Sequence, residues 1–92
     1  MSRVERIRSA LQVALAPQLL EVEDDSHRHA GHAGARDGRG HFNVKVVSEA
    51  FAGKAPLARH RLVFAAVGDM METDIHALSI VALSPAEHAA QG

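Results

Sequence analysis

Cysteine, tryptophan and tyrosine are all absent from this 92-residue chain, and proline occurs only three times. Without a thiol the chain forms no disulfide and no thiolate metal site of its own. Any metal chemistry is therefore imidazole and carboxylate chemistry, or it borrows sulfur from a partner. Only Phe42, Phe51 and Phe64 supply rings, so a core has to come mainly from Ala, Val, Leu and Ile, which the 47% hydrophobic content allows. No apolar run approaches the roughly 20 residues that a membrane span needs. Neither sign of charge is in excess: ten basic against eleven acidic residues leave a net charge of −1. No global field therefore draws the chain to nucleic acid or to a membrane surface. Lack of cysteine is not decisive about compartment, and the N-terminus has an amphipathic pattern instead of a signal peptide, so the cytoplasm is the default expectation.

What is abundant is histidine, and it is concentrated. The stretch Ser26–His41 holds four of the seven histidines and four of the seven glycines, with almost nothing able to fill a core. Such a segment reads as a loop, here over residues 26–40, and loops of this length are more often functional than merely connecting. Imidazole is the commonest metal ligand and changes charge near neutrality, so the loop suggests metal binding or pH sensing. Titrating seven histidines makes the chain distinctly basic below about pH 6.

The remaining pattern predicts one α+β domain spanning residues 1–92. Ser2 and Glu5 have capping-box spacing ahead of Val4, Ile7, Leu11 and Leu15, which recur as on one face of a helix that Pro17 ends. Leu20 and Val22 alternate with Glu21 and Glu23 in a half-buried strand. Phe42, Val44 and Val46 alternate with Asn43 and Lys45 in a clearer one. Ser48 caps a short turn through Phe51 that stops at Gly53. Pro56 then opens a longer helix, which loosens near Gly68-Asp69 or continues to about Glu72. The run Ala77–Leu83 is apolar on both faces and reads as an interior, parallel strand. Ser84-Pro85-Ala86-Glu87 starts a short C-terminal helix over 84–90. The expected order is helix, strand, strand, one or two helices, strand, helix. The second and third strands are then parallel neighbours in a small three-stranded mixed sheet with helices on one face.

Four blocks stand out along this frame: His41-Phe42-Asn43-Val44-Lys45-Val46-Val47-Ser48, Phe51-Ala52-Gly53-Lys54, Leu57-Ala58-Arg59-His60-Arg61-Leu62-Val63 and Ile75-His76-Ala77-Leu78-Ser79-Ile80. In order and spacing they resemble the signature blocks of the BolA family over nearly the whole chain. The resemblance implies a fold like that of class II KH domains. It also implies partnership with a monothiol glutaredoxin and a 2Fe–2S cluster shared between the glutaredoxin cysteine, a glutathione thiol and histidines of the BolA-like chain. The outcome would be cluster transfer, or iron and redox regulation linked to the stress response, with no cofactor on the isolated chain. His76 matches the family's ligand at the start of the last strand. A second ligand would come from the first-to-second-strand loop, where His29 and His32 are both candidates. Imidazole can replace thiolate on one iron of such a cluster, and an imidazolium cannot bind, so the shared site would be labile and protonation-sensitive.

Some members of the family are instead described as DNA-binding transcription regulators. Lys54, Arg59 and Arg61 near a helix start are the residues for that alternative. Against it stand the net charge and the few aromatics available for stacking. Gly31-His32-Ala33-Gly34 spells the backbone clamp of KH domains, but between two strands, where KH domains carry it between helices. No Ser/His/Asp arrangement, phosphate loop or paired carboxylate is evident, so an enzyme with a small-molecule substrate is not expected.

Overall fold

The computed structural model describes residues 1–29 and 38–92, with backbone alone for Arg28 and His29. Helix α1 (Arg3–Leu15) starts with the expected capping box: Ser2 Oγ accepts from Glu5 N, and Glu5 Oε1 accepts from Ser2 N. It buries Ile7, Leu11 and Leu15 and ends at Ala16, in left-handed geometry just before Pro17. Strands β1 (Leu19–Asp24) and β2 (Gly40–Val47) pair antiparallel, from Leu19 opposite Val47 to Asp24 opposite Phe42. A 3-10 turn (Glu49–Phe51), capped by Ser48, leads to α2 (Pro56–Val67), the single-turn α3 (Met70–Thr73), β3 (Ile75–Leu83) and α4 (Pro85–Gln91). Strand β3 runs parallel to β2.

The core lies between the helices and one sheet face. Phe42, Val44 and Val46 of β2 meet Ile7, Leu11 and Leu15 of α1, Val63 and Val67 of α2, Phe51 and Ile75. These side chains alternate along β2 with His41, Asn43 and Lys45, which point to the other face and stay half-buried. Each fully buried aliphatic or Phe side chain contributes about 1.5–3 kcal/mol, so this cluster dominates the stability of so small a domain. Ser48, itself buried, donates to Leu15 O at 2.6 Å and accepts from Ala50 N at 3.1 Å. One hydroxyl thereby ties the end of α1 to the end of β2.

Two sequence expectations need correction. The sheet order is β1-β2-β3, so β3 is parallel as expected but is an edge strand, not an interior one. Its inner row, Leu78, Ile80 and Ala82, packs against the core, while Val81 on the outer row is 50% exposed. Apolar residues on both faces here mark an incompletely covered outer face, not a strand flanked on both sides. At the two borders of the segment expected as a loop over 26–40, the described residues have regular structure, and residues 30–37 lie outside the described residues. Ser26–His29 forms a 3-10 turn, and β2 begins at Gly40. Asp24 Oδ1 accepts from Ser26 N at 2.9 Å, and Ser26 Oγ accepts from His41 N at 3.1 Å, which closes the segment at both ends. The hydrogen bonds from Ser26 hold the Asp24 carboxyl below its usual value.

Candidate functional site

His76 owes its position to an irregularity in β3. Gly40 pairs with Ile75 and His41 with Ala77, so β3 advances two residues while β2 advances one. This bulge lets Ile75 and Leu78, three residues apart, both turn toward the core, and it turns His76 out. His76 is exposed. The His41 ring lies beside it, with centroids 5.2 Å apart and planes tilted by 44°.

The backbone around this pair is firmly held. Gly40 N donates to Asp74 O at 2.9 Å, which joins the start of β2 to the residue just before β3. Gly40 also packs closely: a methyl group there would stand 2.6 Å from Ser26 Oγ and 2.8 Å from Phe42 Cε2. The buried Asp74 carboxylate accepts a two-pronged contact from Arg6, Nη1 to Oδ1 at 3.0 Å and Nη2 to Oδ2 at 2.9 Å. Arg3 Nε (3.2 Å) and Thr73 Oγ1 (2.7 Å) add to it. These partners, Arg6 foremost, hold the Asp74 carboxyl at about 2. The first turn of α1 is thus clamped two residues from His76.

On the opposite flank Arg39 follows Gly38, whose φ of 82° is a left-handed turn position. Its guanidinium donates from Nη1 to Met71 O at 3.1 Å and places Nη2 3.3 Å from His76 Nδ1. Two imidazoles and a guanidinium therefore meet at the end of the sheet where β2 and β3 begin. Among the described residues, no group of three or more His, Cys, Asp or Glu could hold a metal ion by itself. An ion or cluster here needs donors beyond the described residues.

Of the residues expected from sequence, His76 is in this cluster. His32 lies outside the described residues, and for His29 only the backbone of the 3-10 turn is described. In the sequence His41 belongs to the histidine-rich stretch, and nothing there marks it as a ligand. Its place opposite the inward Phe42 in the β2 alternation puts it on the outer face, and only the β2–β3 register then brings it to His76. The alternative cations differ in their exposure. Lys54 and Arg61 are exposed. Arg59 is 12% exposed and committed internally: Nε to Lys54 O at 2.8 Å, Nη1 to Ala82 O at 3.0 Å, and both Nη atoms to the Glu87 carboxylate at 2.6 and 3.3 Å. It fastens α2 to α4 and β3. Arg59 with the Ser84 backbone holds the Glu87 carboxyl at about 2. A shallow groove of about 300 Å³ on the outer face, lined by Glu21, Glu23, Asn43, Lys45 and Val81 among others, includes neither histidine.

The profile of the family described as BolA-like protein matches residues 11–87. The chain belongs to the BolA family. SufE-like protein 1 of Arabidopsis thaliana, chloroplastic/mitochondrial by name, is 50% identical over 91 residues, 94% of this chain and 24% of that protein. The chloroplastic BOLA1 protein of the same plant is 46% identical over 94% of this chain and 56% of its own length. A DNA-binding transcriptional regulator BolA of Escherichia coli is 40% identical over 83% and 70%. This BolA-like chain thus spans between about a quarter and somewhat over half the length of the first two relatives. Among solved structures, the BolA domain of the Arabidopsis SufE1 superposes with a TM-score of 0.83 at 48% identity, covering 95% of this chain and 96% of that one. The small α+β fold with a three-stranded mixed sheet, expected from the sequence, is therefore the fold of the family. No helix among the described residues is long and apolar enough to cross a membrane.

Proposed function

We propose that this BolA-like chain is an adaptor that docks a monothiol glutaredoxin and contributes histidine to a 2Fe–2S cluster held between the two proteins, for cluster transfer or iron and redox regulation. The observation that carries the reading is the exposed His76, turned out of β3 by the bulge, with a second imidazole beside it. The donor chemistry fits. The chain has no thiol, so the glutaredoxin cysteine and glutathione would supply sulfur to one iron and imidazole would complete the other. Mixed ligation of this kind raises a cluster's reduction potential relative to all-thiolate binding.

The chain's own part is to hold the imidazoles at an accessible sheet end. Asp74, gripped by Arg3 and Arg6, fixes the start of β3, and the Gly40–Asp74 hydrogen bond fixes His41 relative to it. His76 is the first ligand. The second is His41, His29 or His32, each on the segment that leads into or begins β2. The cytoplasm is the compartment this reading carries, although the names of two relatives place those proteins in chloroplasts or mitochondria.

The test is to mix the chain with a cluster-loaded monothiol glutaredoxin and record visible circular dichroism, then repeat with His76→Ala. A spectrum altered by the chain and restored to that of the glutaredoxin alone by the substitution supports the adaptor. A spectrum indifferent to the chain refutes it. The name of the E. coli relative favours a second reading, DNA binding through Lys54 and Arg61. Retention on one DNA sequence over others at 200 mM salt would support that reading, whereas affinity lost between about 50 and 200 mM salt without sequence preference would mark plain phosphate attraction.

A further inference from the structure

The contact between Arg39 and His76 has a chemical consequence for any metal that approaches. A guanidinium has five N–H donors and no acceptor. At 3.3 Å, Arg39 Nη2 therefore donates, and His76 Nδ1 accepts through its lone pair. In the neutral ring the proton then resides on Nε2. Coordination needs a ring nitrogen with its lone pair directed at the metal. If the metal takes Nδ1, it takes the lone pair that Arg39 uses. If it takes Nε2, the proton moves to Nδ1, and two N–H groups face each other. Either route expels Arg39 from His76.

We infer that Arg39 is a positioning residue that latches His76 in the metal-free protein and has to be displaced when a soft or borderline metal centre binds the ring. The latch is built into the fold. Gly38 turns the chain into Arg39, Gly40 is pinned between Ser26 and Asp74, and the second arm of the guanidinium is anchored on Met71 O. The Arg39 contact favours one tautomer of the metal-free ring, and metal binding gives up that hydrogen bond. That bias favours a site that takes a cluster from a partner and gives it up again.

This inference rests on His76 being a ligand, and the experiment separates the two claims. The long-range ¹⁵N–¹H spectrum of the intact, metal-free chain is recorded above pH 7.5 for the wild type, Arg39→Met and Arg39→Lys. The expected result is a His76 ring protonated at Nε2 in the wild type, a mixture of tautomers in Arg39→Met, and partial recovery in Arg39→Lys, which keeps one donor. An Nδ1-protonated ring in the wild type, or no difference among the three, overturns the inference. Zn²⁺ alone is then titrated and followed at the His76 ring resonances, so that binding by other histidines does not confuse the reading. Arg39→Met should bind at that ring about three- to tenfold more tightly than the wild type, the net worth of one hydrogen bond. Equal or weaker binding by Arg39→Met overturns the latch. A latch upheld by both measurements, together with a glutaredoxin spectrum indifferent to the chain, would sink the proposed function and leave this inference standing.

Discussion

Replacing Asp74 with Asn tests how the start of β3 is held. The substitution keeps the shape of the side chain and removes its charge, so Arg3, Arg6 and Thr73 lose the carboxylate that all three address. The Asp74 carboxyl is lowered from 3.8 to about 2, mainly by Arg6, and at 1.36 kcal/mol per unit this corresponds to about 2.4 kcal/mol as an upper bound. The Asp74 side chain is only 10% exposed, but Arg3 and Arg6 are 40% and 43% exposed, so solvent screens the pair from one side. About 1–1.5 kcal/mol is the working figure. Because the folded-state value lies below the unfolded one, the stabilisation is fully present above about pH 5 and is lost as pH falls toward 2. Linkage puts about half of it gone by pH 3. With neither Trp nor Tyr in the chain, far-UV circular dichroism in urea is the assay, run on both proteins at pH 7, 4 and 3. Asp74→Asn should unfold at lower urea at pH 7 with an unchanged slope, and the gap should narrow by pH 3. Equal stability at pH 7, or a gap that stays constant down to pH 3, would refute this account of the clamp.

Three further outcomes follow from the packing. Gly40→Ala would push a methyl group to within 3 Å of Ser26 Oγ and Phe42 Cε2; it should destabilise the fold by about 1–3 kcal/mol, seen as a lower urea midpoint, and shift the His41 amide resonance. Ser48→Ala leaves Leu15 O and Ala50 N without their shared hydroxyl in a buried place and should cost about 1–3 kcal/mol by the same assay. Lowering the pH through the range between the usual glutamate value and about 2 should loosen α4, because Glu87 then gives up both Arg59 and its own helix cap. Amide exchange that speeds up selectively over Pro85–Gln91 is the check, and Glu87→Gln should show the same faster exchange already at pH 7.

Much of the fold was legible in the sequence because its signals are local. The capping residues Ser2 and Ser84, the prolines at 17 and 56, and the alternation through Phe42, Val44 and Val46 each specify an element without reference to distant residues. What local pattern does not encode is lateral order. Nothing in Ala77–Leu83 distinguishes an edge strand from a central one, since both present apolar side chains on either face. The site divides along the same line. His76 was identified by its sequence block, but the pairing with His41 depends on a one-residue slip between β2 and β3, which no periodicity predicts. Arg39 reaches His76 only because both strands begin at the same end of the sheet. Arg59 looked like a surface cation beside Arg61. Its partner Glu87 is 28 residues away, and only the packing of α4 onto β3 brings the two together.

The placement of β3 at the rim of the sheet also bears on solubility. Strand β2 occupies one side of its backbone, and among the described residues no strand lies on the other. A rim of this kind invites a strand from another molecule to add itself, which is the usual start of ordered aggregation. At one end the Arg59 guanidinium sits on the Ala82 carbonyl, where an incoming strand would need that oxygen. A long cation at a rim is a common natural deterrent to such growth, and here it is locked in place by Glu87 instead of waving in water. An arginine that resembles a nucleic-acid contact in the sequence thereby occupies an edge carbonyl that an added strand would have to pair with.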